Sequence, residues 1–583
     1  MRQKPFHRLL AGLSFGLLAA CTSLPGERPA TLTSPASQDA TDFGPNVFVF
    51  DPSMPASAIQ QQADRIFAQQ ETSEFGGGRY ALLFKPGTYN ASVKVGYYTQ
   101  VAGLGLAPDD VTINGTVEAN AKWNKGNALI NFWRSAENLT VFPDGGTEKW
   151  AVSQAAPFRR MHVRGDLSLY DGGWSSGGFI ADTEVDGKID SGTQQQWITR
   201  NSDIDGWKGS NWNQVFVGVN GAPSGASWPE PPYVVAEPSP VTREKPFLTL
   251  NAKGNYAVSV PSLLRDSSGT SWVAGRTEGT SIPLSEFHVA KPEETAATLN
   301  AALAQGKHLL FTPGIYRLTE TLHVTHADTV VLGLGLATLM PENGIAAMSV
   351  DDVDGVKIAG LLFDAGAVSS PVLLEVGPSG SSHRHASDPT SLHDVFFRIG
   401  GGAVGKAEVS LRINSSDVIV DHTWLWRADH GNGVGWTQNT ADTGLVVNGD
   451  DVTIYGLFVE HYQKYQTVWN GNGGKTFFYQ SEIPYDPPSQ TEWMNGATAG
   501  FASYKIGDAV TKHDAIGLGI YCFFRSNPSV RLESAIEAPR QASIDLRDMT
   551  TVSLGGGTGE ITHVVNQRGV AAKGGHLVST LDR

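Results

Sequence analysis

The stretch from Asp450 to Pro488 reads DDVTIYGLFVEHYQKYQTVWNGNGG and then KTFFYQSEIPYDPP, and the interpretation of the whole chain starts from it. It contains two short runs of β-branched and aromatic residues, IYGLFVE and TFFYQSE, which end in Glu460 and Glu482. The two glutamates are 22 residues apart, which is about the length of one coil of a parallel β-helix. Residues one coil apart stack at the inter-strand spacing of roughly 5 Å. The spacing therefore predicts two carboxylates side by side.

Similar runs precede this stretch in the second half of the chain. They are DDVDGVKIAGLLFDAG, SLHDVFFRIGG and SSDVIVDHTWLWRADHG, and they follow one another and the later runs at roughly 22 to 39 residues. Each contains brief β-runs with a glycine or polar corner, which is typical of a right-handed parallel β-helix. The alternative, an antiparallel sandwich, needs hairpin turns every 8 to 12 residues or so, and Asn-Gly and Asp-Gly pairs are too sparse for that. We therefore predict an all-β fold.

The same pattern occurs twice along the chain. In the first copy, a helix predicted over residues 55–69 is followed by ALLFKPGTY and then by VAGLGLA. In the second copy, a helix predicted over residues 292–305 is followed by HLLFTPGIY and then by VVLGLGLA. This repeated order predicts two tandem right-handed parallel β-helices of the pectate-lyase-like kind, over residues 45–220 and 285–583. Each should carry a short capping helix at its N-terminal end.

Residues 221–284 separate the two copies. Seven prolines fall within the 24 residues from Pro223 to Pro246. Proline at this density is expected to prevent regular strand pairing, because it lacks the backbone N–H and fixes the backbone angle φ. We predict a stiff, extended connector that leads into a short β segment and then into the second copy.

The N-terminus resembles an export signal. Three basic residues within the first eight precede an apolar run from Leu9 to Ala20, and Leu18-Ala19-Ala20-Cys21 has the form of a bacterial lipobox. We predict a lipoprotein signal peptide over residues 1–21, lipidation of Cys21, and a flexible tether over residues 22–44. A plain signal peptide with a chance cysteine is the alternative. The lipid would anchor the exported protein to the cell envelope, at the outer membrane or the cell surface, because Thr22 is not the aspartate associated with inner-membrane retention.

Composition limits the partners of the protein. A chain of 583 residues with 40% apolar and 17% charged residues is an ordinary globular protein, and its 66 glycines favour many tight turns. The net charge of −15 argues against nucleic acid and weakly against polyanions such as pectin, which favours a neutral polymer. The only cysteine besides Cys21 is Cys522, so we expect no intramolecular disulfide. We expect no metal, because His383 and His385 lack a third ligand at metal-site spacing. We also expect a monomer without cofactor.

The residues around the glutamate pair indicate sugar chemistry. Two carboxylates this close cannot both ionise easily, so the pKa of one should rise and leave an acid able to donate a proton near neutral pH. Carboxylates flanked by aromatic side chains are typical of sugar hydrolysis. The aromatic residues expected beside the pair are Trp424, Trp426, Tyr462, Tyr465 and Trp469.

The segments WLWRADH, GLFVEHYQKYQTVWN and YQSEIPYDPP, in this order, resemble glycoside hydrolase family 55, the β-1,3-glucanases built from two tandem right-handed β-helices. TQQQWITRN in the first copy resembles an amide-rich segment of that family. The resemblance implies that Glu482 is the general acid, that Glu460 is its essential neighbour, and that Gln195 and Gln196 hold the attacking water. Where the family continues ADH with acidic residues, this chain has Gly-Asn-Gly. Further residues assigned to substrate or water positioning are Asp429, His430, Gln480 and Tyr485.

Each assignment has a structural alternative. The two glutamates would otherwise be solvated residues at coil corners, and the two glutamines members of an amide ladder. Asp429 and His430 would otherwise be a corner cap and a turn histidine. Trp424 and Trp426 alternate on one strand and so face the same side, where they either fill the β-helix core or form a sugar platform.

Three functions are compatible with the predicted fold, which alone does not separate them. They are a glycoside hydrolase acting on a neutral β-glucan, a polysaccharide lyase or epimerase, and a non-catalytic carbohydrate-binding β-helix. A lyase would need calcium-binding aspartates and a basic residue, and the window supplies Arg427 and Lys464 but no tight aspartate cluster. We therefore predict the hydrolase. The family resemblance implies inversion of the anomeric centre, whereas carboxylates near 5 Å apart would by themselves indicate retention.

Overall fold

Parallel strands stacked in long ladders make up most of the protein. The structure is a computed structural model, and it describes residues 41–209, 211–224, 227–251, 253–272 and 278–583. The predicted all-β fold is confirmed: two right-handed parallel β-helices follow one another along the chain. The predicted signal peptide, the lipidation site Cys21 and most of the predicted tether lie outside the described residues.

The first β-helix is built on a 13-stranded sheet in which all strand pairs are parallel. Nine of these strands form its main path, namely Val47–Phe50, Tyr80–Phe84, Thr99–Gly103, Arg134–Phe142, Phe158–Val163, Phe179–Ala181, Trp197–Arg200, Gln214–Val217 and Tyr233–Ala236. The other four are Gly87–Asn90, Val111–Asn114, Glu184–Val185 and Asp203–Ile204. Shorter ladders close the coils, formed by Thr147–Lys149, Asp166–Ser168, Ile189–Asp190 and Trp207–Lys208, and by Val93–Lys94 with Val117–Glu118.

The second β-helix has two long sheets, of 12 and nine strands, which give it two extended faces. The 12-stranded sheet ends in an antiparallel pair, and its strands are Phe287–Ala290, His308–Phe311, Ile315–Leu318, Val330–Pro341, Lys357–Asp364, Ser391–Ile399, Ile419–Arg427, Thr453–Glu460, Gly474–Glu482, His513–Cys522, Ile544–Ser553 and Val578–Leu581. The strands of the nine-stranded parallel sheet are Leu322–Val324, Met348–Val350, Leu374–Val376, Ala407–Ile413, Ala441–Val447, Thr467–Trp469, Tyr504–Ile506, Arg531–Glu537 and Glu560–Val565. A short hairpin joins Met494–Asn495 to Thr498–Ala499.

Each β-helix starts with one α-helix, Ala56–Gln70 in the first and Ala296–Ala304 in the second, as predicted. The apolar face of each helix joins the core of its own β-helix, so it covers an end that would otherwise expose apolar side chains. Thr295 caps the second helix by accepting a hydrogen bond from the Thr298 N–H at 3.2 Å. None of the helices within the described ranges is long and apolar enough to cross a membrane. Within the described ranges, 3-10 turns occur at Pro108–Asp110, Lys122–Asn124, Asp144–Gly146 and Leu284–Glu286.

The proline-rich connector contains regular strands, so the prediction that it would not pair was wrong. Tyr233–Ala236 extends the main sheet of the first β-helix in parallel, and Ser239–Arg243 pairs antiparallel with Leu263–Ser267. The first of these strands lacks proline, and the second holds its proline in a two-stranded ribbon, where an edge tolerates the missing N–H. The predicted short β segment is a three-stranded antiparallel sheet of Phe247–Leu250, Tyr256–Pro261 and Gly279–Pro283.

The outward faces of the two main sheets pack against each other along a surface that we call the seam. Aromatic side chains from both β-helices form one buried cluster there, separate from the two interior cores. The aromatic members include Phe132, Trp133 and Phe179 from the first β-helix and Phe396, Trp424, Trp426 and Phe458 from the second.

Buried charges cross the seam beside this cluster. Arg159 contacts Asp394 at 2.9 Å and Asp421 at 2.7 Å, and Arg200 contacts Asp421 at 2.8 Å and Glu244 at 2.7 Å. Glu244 belongs to the connector, so this network joins all three parts of the chain. A buried ion network adds little net stability, but an unpaired member would be costly, so the network favours a single alignment of the two β-helices.

Candidate active site

Glu460 and Glu482 occupy matching positions on neighbouring parallel strands of the second β-helix. They are register partners at the ends of Thr453–Glu460 and Gly474–Glu482. On the strand before the pair, the register partner of Glu460 is Trp426. On the strand after the pair, the register partner of Glu482 is Tyr521. On each strand, the residue next to this position points into the core. All four side chains therefore face outward, toward the seam. The sequence spacing therefore placed the two carboxylates correctly.

Glu460 is held from two sides. The Trp424 indole N–H donates to Glu460 Oε2 at 2.9 Å, and the Gln154 amide of the first β-helix donates to Glu460 Oε1 at 2.9 Å. The residue is only 3% exposed. Burial raises the pKa of Glu460 well above the usual range of a glutamate, and the nearby Glu482 adds to this rise, while the two donors oppose it. Glu460 is thus a carboxyl group fixed at both oxygens.

Glu482 lies slightly nearer to solvent and is 7% exposed. The Tyr485 hydroxyl donates to its Oε2, and the Gln480 amide lies 3.4 Å from its Oε1. Burial raises the pKa of Glu482 to about 7, against the hydrogen bond from Tyr485, and the negative charge of Asp429 contributes to the rise. Two interacting carboxyl groups with raised pKa values titrate as a pair. The pair therefore holds at least one proton near neutral pH and can act as an acid.

Asp429 and His430 connect the pocket to the first β-helix. The two nitrogens of His430 lie 2.7 Å from Asp429 Oδ1 and 2.6 Å from Glu74 Oε1. Although burial works against the charged form, these two carboxylates raise the pKa of His430 to about 10. Burial also opposes ionisation of Asp429, yet His430 holds the pKa of Asp429 well below its usual range. Asp429 and His430 were predicted either as pocket residues or as a corner cap and a turn histidine. Through Glu74 they form a charged contact between the two β-helices.

Of the two predicted glutamines, Gln196 is the one that reaches across the seam. Its Nε2 donates to the Tyr479 carbonyl at 3.2 Å, and its Oε1 accepts from the Tyr521 hydroxyl. Gln195 is 8% exposed, and its Oε1 is buried without a hydrogen-bond partner among the described residues. Gln196 is therefore linked to Tyr521, the register partner of Glu482, whereas the Gln195 amide oxygen makes no such contact.

The structure corrects the expected aromatic surroundings. Tyr462 and Trp469 are fully buried inside the second β-helix, where the Tyr462 hydroxyl lies 2.6 Å from Ser410 Oγ, so neither faces the seam. Both follow the corner after Glu460, where the chain turns back into the core. Tyr465 is partly buried, packs against Phe501 and accepts a hydrogen bond from Asn495. These three residues do not join the pocket.

Trp424 and Trp426 neither fill the β-helix core nor form an open sugar platform. They stack on each other at 5.0 Å between ring centroids, each about 1% exposed, within the seam. Phe132 and Trp133 of the first β-helix pack against Trp424 at 4.8 and 5.6 Å. The indoles therefore form the buried wall from which Trp424 holds Glu460.

Sequence reasoning missed Gln154 and Tyr521. Gln154 has a φ of +37°, which aims a residue of the first β-helix at a carboxylate 306 positions away. No local pattern marks such a contact. Tyr521 follows Glu482 by one further coil of the same ladder, so extending the repeat would have identified its position.

A buried carboxylate pair that retains a proton, held by indoles and amides where two parallel β-helices meet, fits the paired carboxyl groups of a glycoside hydrolase. Residues 287–482 match the family model of the LAM55 pectate lyase-like domain. Over 579 residues the chain is 52% identical to the exo-β-1,3-glucanase of Streptomyces sp. (strain SirexAA-E / ActE), covering 98% of this chain and 95% of that protein.

The same fold has been solved. The structure of sacteLam55A from Streptomyces sp. SirexAA-E matches with a TM-score of 0.91 and 53% identity, over 93% of this chain and 98% of that one. A variant of sacteLam55A in complex with glucose matches equally well. The chain belongs to glycoside hydrolase family 55.

Proposed function

We propose that this glycoside hydrolase removes sugar units from the ends of a β-1,3-glucan, with Glu482 as the general acid. The observation that carries the proposal is the stacked pair of Glu460 and Glu482 at the seam, which retains a proton near neutral pH. The relative with 52% identity is an exo-β-1,3-glucanase, which supports the linkage and the action at chain ends. The negative net charge fits a neutral glucan better than a polyanion.

The surroundings of the two glutamates support different roles. Both oxygens of Glu460 accept hydrogen bonds, from Trp424 and Gln154, whereas Glu482 accepts one from the Tyr485 hydroxyl at Oε2. Glu482 has the charge of Asp429 nearby, which favours the protonated form. Glu482 is also the more exposed of the two. We assign the role of the acid to Glu482 because it lies nearer to solvent, and because a carboxyl group whose pKa is raised to about 7 can deliver its proton to the leaving oxygen near neutral pH.

The attacking water would be held by amides from the first β-helix. Gln154 and Gln196 both reach the carboxylate ladder of the second β-helix, and neither has an ionisable group that could attack sugar. Glu460 is held at both oxygens by Trp424 and Gln154, beside the amides that would hold the water. These features favour inversion, in which the water attacks the face of the sugar opposite the acid, Glu482 gives its proton to the leaving oxygen, and the proton of the water passes to the Glu460 carboxylate.

The experiment is hydrolysis of laminarin by Glu482→Gln, with pectin as a second substrate for the wild type. We expect the wild type to release reducing sugar from laminarin and not from pectin. The variant should lose about 10²- to 10⁴-fold in kcat, because it lacks the proton donor. Glu408→Gln is the matched control, since Glu408 is an exposed glutamate on a strand of the same β-helix. Unchanged kcat in Glu482→Gln would refute the assignment.

We further propose that the protein acts as a monomer anchored to the cell envelope by lipid on Cys21. The support is the lipobox Leu18-Ala19-Ala20-Cys21 after a short apolar run. A lipid anchor would place the enzyme beside polysaccharide outside the inner membrane.

A further inference from the structure

His162 lies beside two acidic side chains on an outward-facing part of the first β-helix. His162 and Glu184 are register partners on neighbouring parallel strands. They are 22 residues apart, the same one-coil spacing that separates the glutamate pair of the pocket. Asp186 follows Glu184 by two residues, and Val185 between them points into the core. The three polar side chains therefore lie on the same side of the sheet.

The distances within this cluster fit a single metal ion. Nε2 of His162 lies 3.2 Å from Asp186 Oδ1 and 3.7 Å from Glu184 Oε2. One ligand atom from each of the three residues lies within 4.8 Å of the other two. Nitrogen and oxygen ligands that bind one tetrahedral zinc ion at ~2.0–2.2 Å are ~3.3–3.6 Å from each other. Both distances from His162 fall within ~0.1 Å of that range.

The imidazole ring of His162 is buried and fixed in orientation. Its side chain is 3% exposed and packs against Trp272 at 5.4 Å between ring centroids. Nδ1 of His162 lies 2.7 Å from Asp109 Oδ1. Because a carboxylate only accepts, Nδ1 of the neutral ring carries the proton, and Nε2 presents its lone pair to Glu184 and Asp186. Histidines that bind metals usually have this arrangement, with a carboxylate at the other ring nitrogen.

Hydrogen-bond donors do not account for all the carboxylates of the cluster. Asp109 Oδ1 also accepts from the Thr140 hydroxyl at 2.6 Å, and the second oxygen of Asp186 contacts Arg164 at 3.2 Å. The Glu184 carboxylate accepts no hydrogen bond from any residue that the structure describes. A half-buried carboxylate without a donor, aimed at an imidazole lone pair, is unfavourable unless a cation lies between them.

We propose that His162, Glu184 and Asp186 bind one divalent transition-metal ion such as zinc, with water as the fourth ligand. Imidazole together with carboxylate suits zinc, whereas calcium prefers oxygen ligands alone. Two carboxylates would balance the charge of the ion. The ion would join two successive coils of the first β-helix, so its role would be to stabilise the fold. This cluster is separate from His383 and His385, on which the expectation of no metal was based.

The test is zinc binding by the full chain without an affinity tag, measured by calorimetric titration after treatment with EDTA. The wild type should bind one Zn²⁺ that Glu184→Gln binds at least tenfold more weakly, because one ligand is lost. Asp109→Asn should weaken binding about 10- to 100-fold, because it removes the carboxylate that orients the imidazole. Glu118→Gln is the matched control and should bind as the wild type does, since Glu118 is a half-buried glutamate on a strand of the same β-helix.

Thermal unfolding gives a second measurement. Zinc at 100 times its Kd should raise the Tm of the wild type by ~2 °C, because the ion binds the folded state, and should raise that of Glu184→Gln less. Circular dichroism of the metal-free variants should match that of the wild type. These conservative changes keep the size of each side chain, so a loss of zinc binding in a folded variant reports on the ligands.

Three outcomes would overturn the site. Failure of the wild type to bind zinc would mean that a protonated imidazole alone balances the carboxylates. Equal affinity in the wild type and Glu184→Gln would place the ion elsewhere on the chain. Tighter binding of Ca²⁺ than of Zn²⁺ would contradict the role of His162 as a ligand. None of these measurements depends on the proposed function, because the glutamate pair lies on the second β-helix and the readout is binding.

Discussion

The side-chain amide of Gln154 donates a hydrogen bond at 2.9 Å to the carboxylate of Glu460, from one β-helix to the other. Both residues are buried, and the sequence separates them by 306 positions. One of the two carboxyl groups of the second β-helix is therefore held by an amide of the first. This contact between the two β-helices leads to the first prediction.

Gln154→Ala should lower kcat by about 10²-fold, because it removes a fixed polar donor at a buried charge. The steady-state rate on laminarin is the measurement. Gln214→Ala is the control, since the Gln214 amide is buried in the same β-helix without a hydrogen-bond partner among the described residues. Equal losses in the two variants would mean that Gln154 matters only for packing.

The pH dependence should follow Glu482. Its pKa is raised to about 7, and the protonated form is the active one, so kcat/KM should fall as the pH rises above about 7. The Tyr485 hydroxyl lowers this pKa by donating to the carboxylate. Tyr485→Phe keeps the ring but loses that donor, and should move the alkaline limb to higher pH with kcat reduced less than about tenfold. A shift to lower pH would contradict the assignment of Glu482.

Gly519 has no side chain, and the amide of Gln196 occupies the space that a side chain would fill. A Cβ at position 519 would lie 2.2 Å from Gln196 Oε1, so Gly519→Ala should displace the amide from Tyr521 and Tyr479. We expect kcat to fall about tenfold or more, with folding retained. Gly206→Ala is the control, because the nearest atom to its added Cβ is Lys188 Cγ at 3.7 Å. Normal activity in Gly519→Ala would remove Gln196 from the account.

The lipid anchor is tested by fractionation of expressing cells. The wild type should sediment with membranes, and Cys21→Ala should move to the soluble fraction. Cys522→Ala, which changes the buried cysteine, should stay with the membranes. Soluble wild-type protein with an intact apolar N-terminus would exclude lipidation at Cys21.

Local repeats made the fold and the glutamate pair predictable from sequence. One coil length separates Glu460 from Glu482, and a repeated strand pattern fixes which residues are neighbours on adjacent strands. The alternation of Trp424 and Trp426 correctly placed them on one face. The sequence did not show what covers that face, because the covering side chains belong to the other copy.

The remaining errors also arise from contacts between distant parts of the chain. Tyr462 and Trp469 lie close in sequence to Glu460 but beyond a corner that turns them into the core. Gln154 has no local signal, because its role depends on a register between two β-helices that buried charges such as Arg159 and Asp421 help to set. Proximity in sequence was therefore a good guide along one ladder and a poor one across corners and across the seam.

The anomer of the first-formed sugar tests the central claim most directly. Glu482 is assigned as the acid, while Glu460, fixed at both oxygens by Trp424 and Gln154, is assigned as its neighbour and not as a nucleophile. Proton NMR of the sugar first released from laminarin distinguishes the two roles before mutarotation equalises the anomers. The account predicts the α-anomer, by inversion at the β-linkage. The β-anomer would contradict it and make Glu460 the nucleophile.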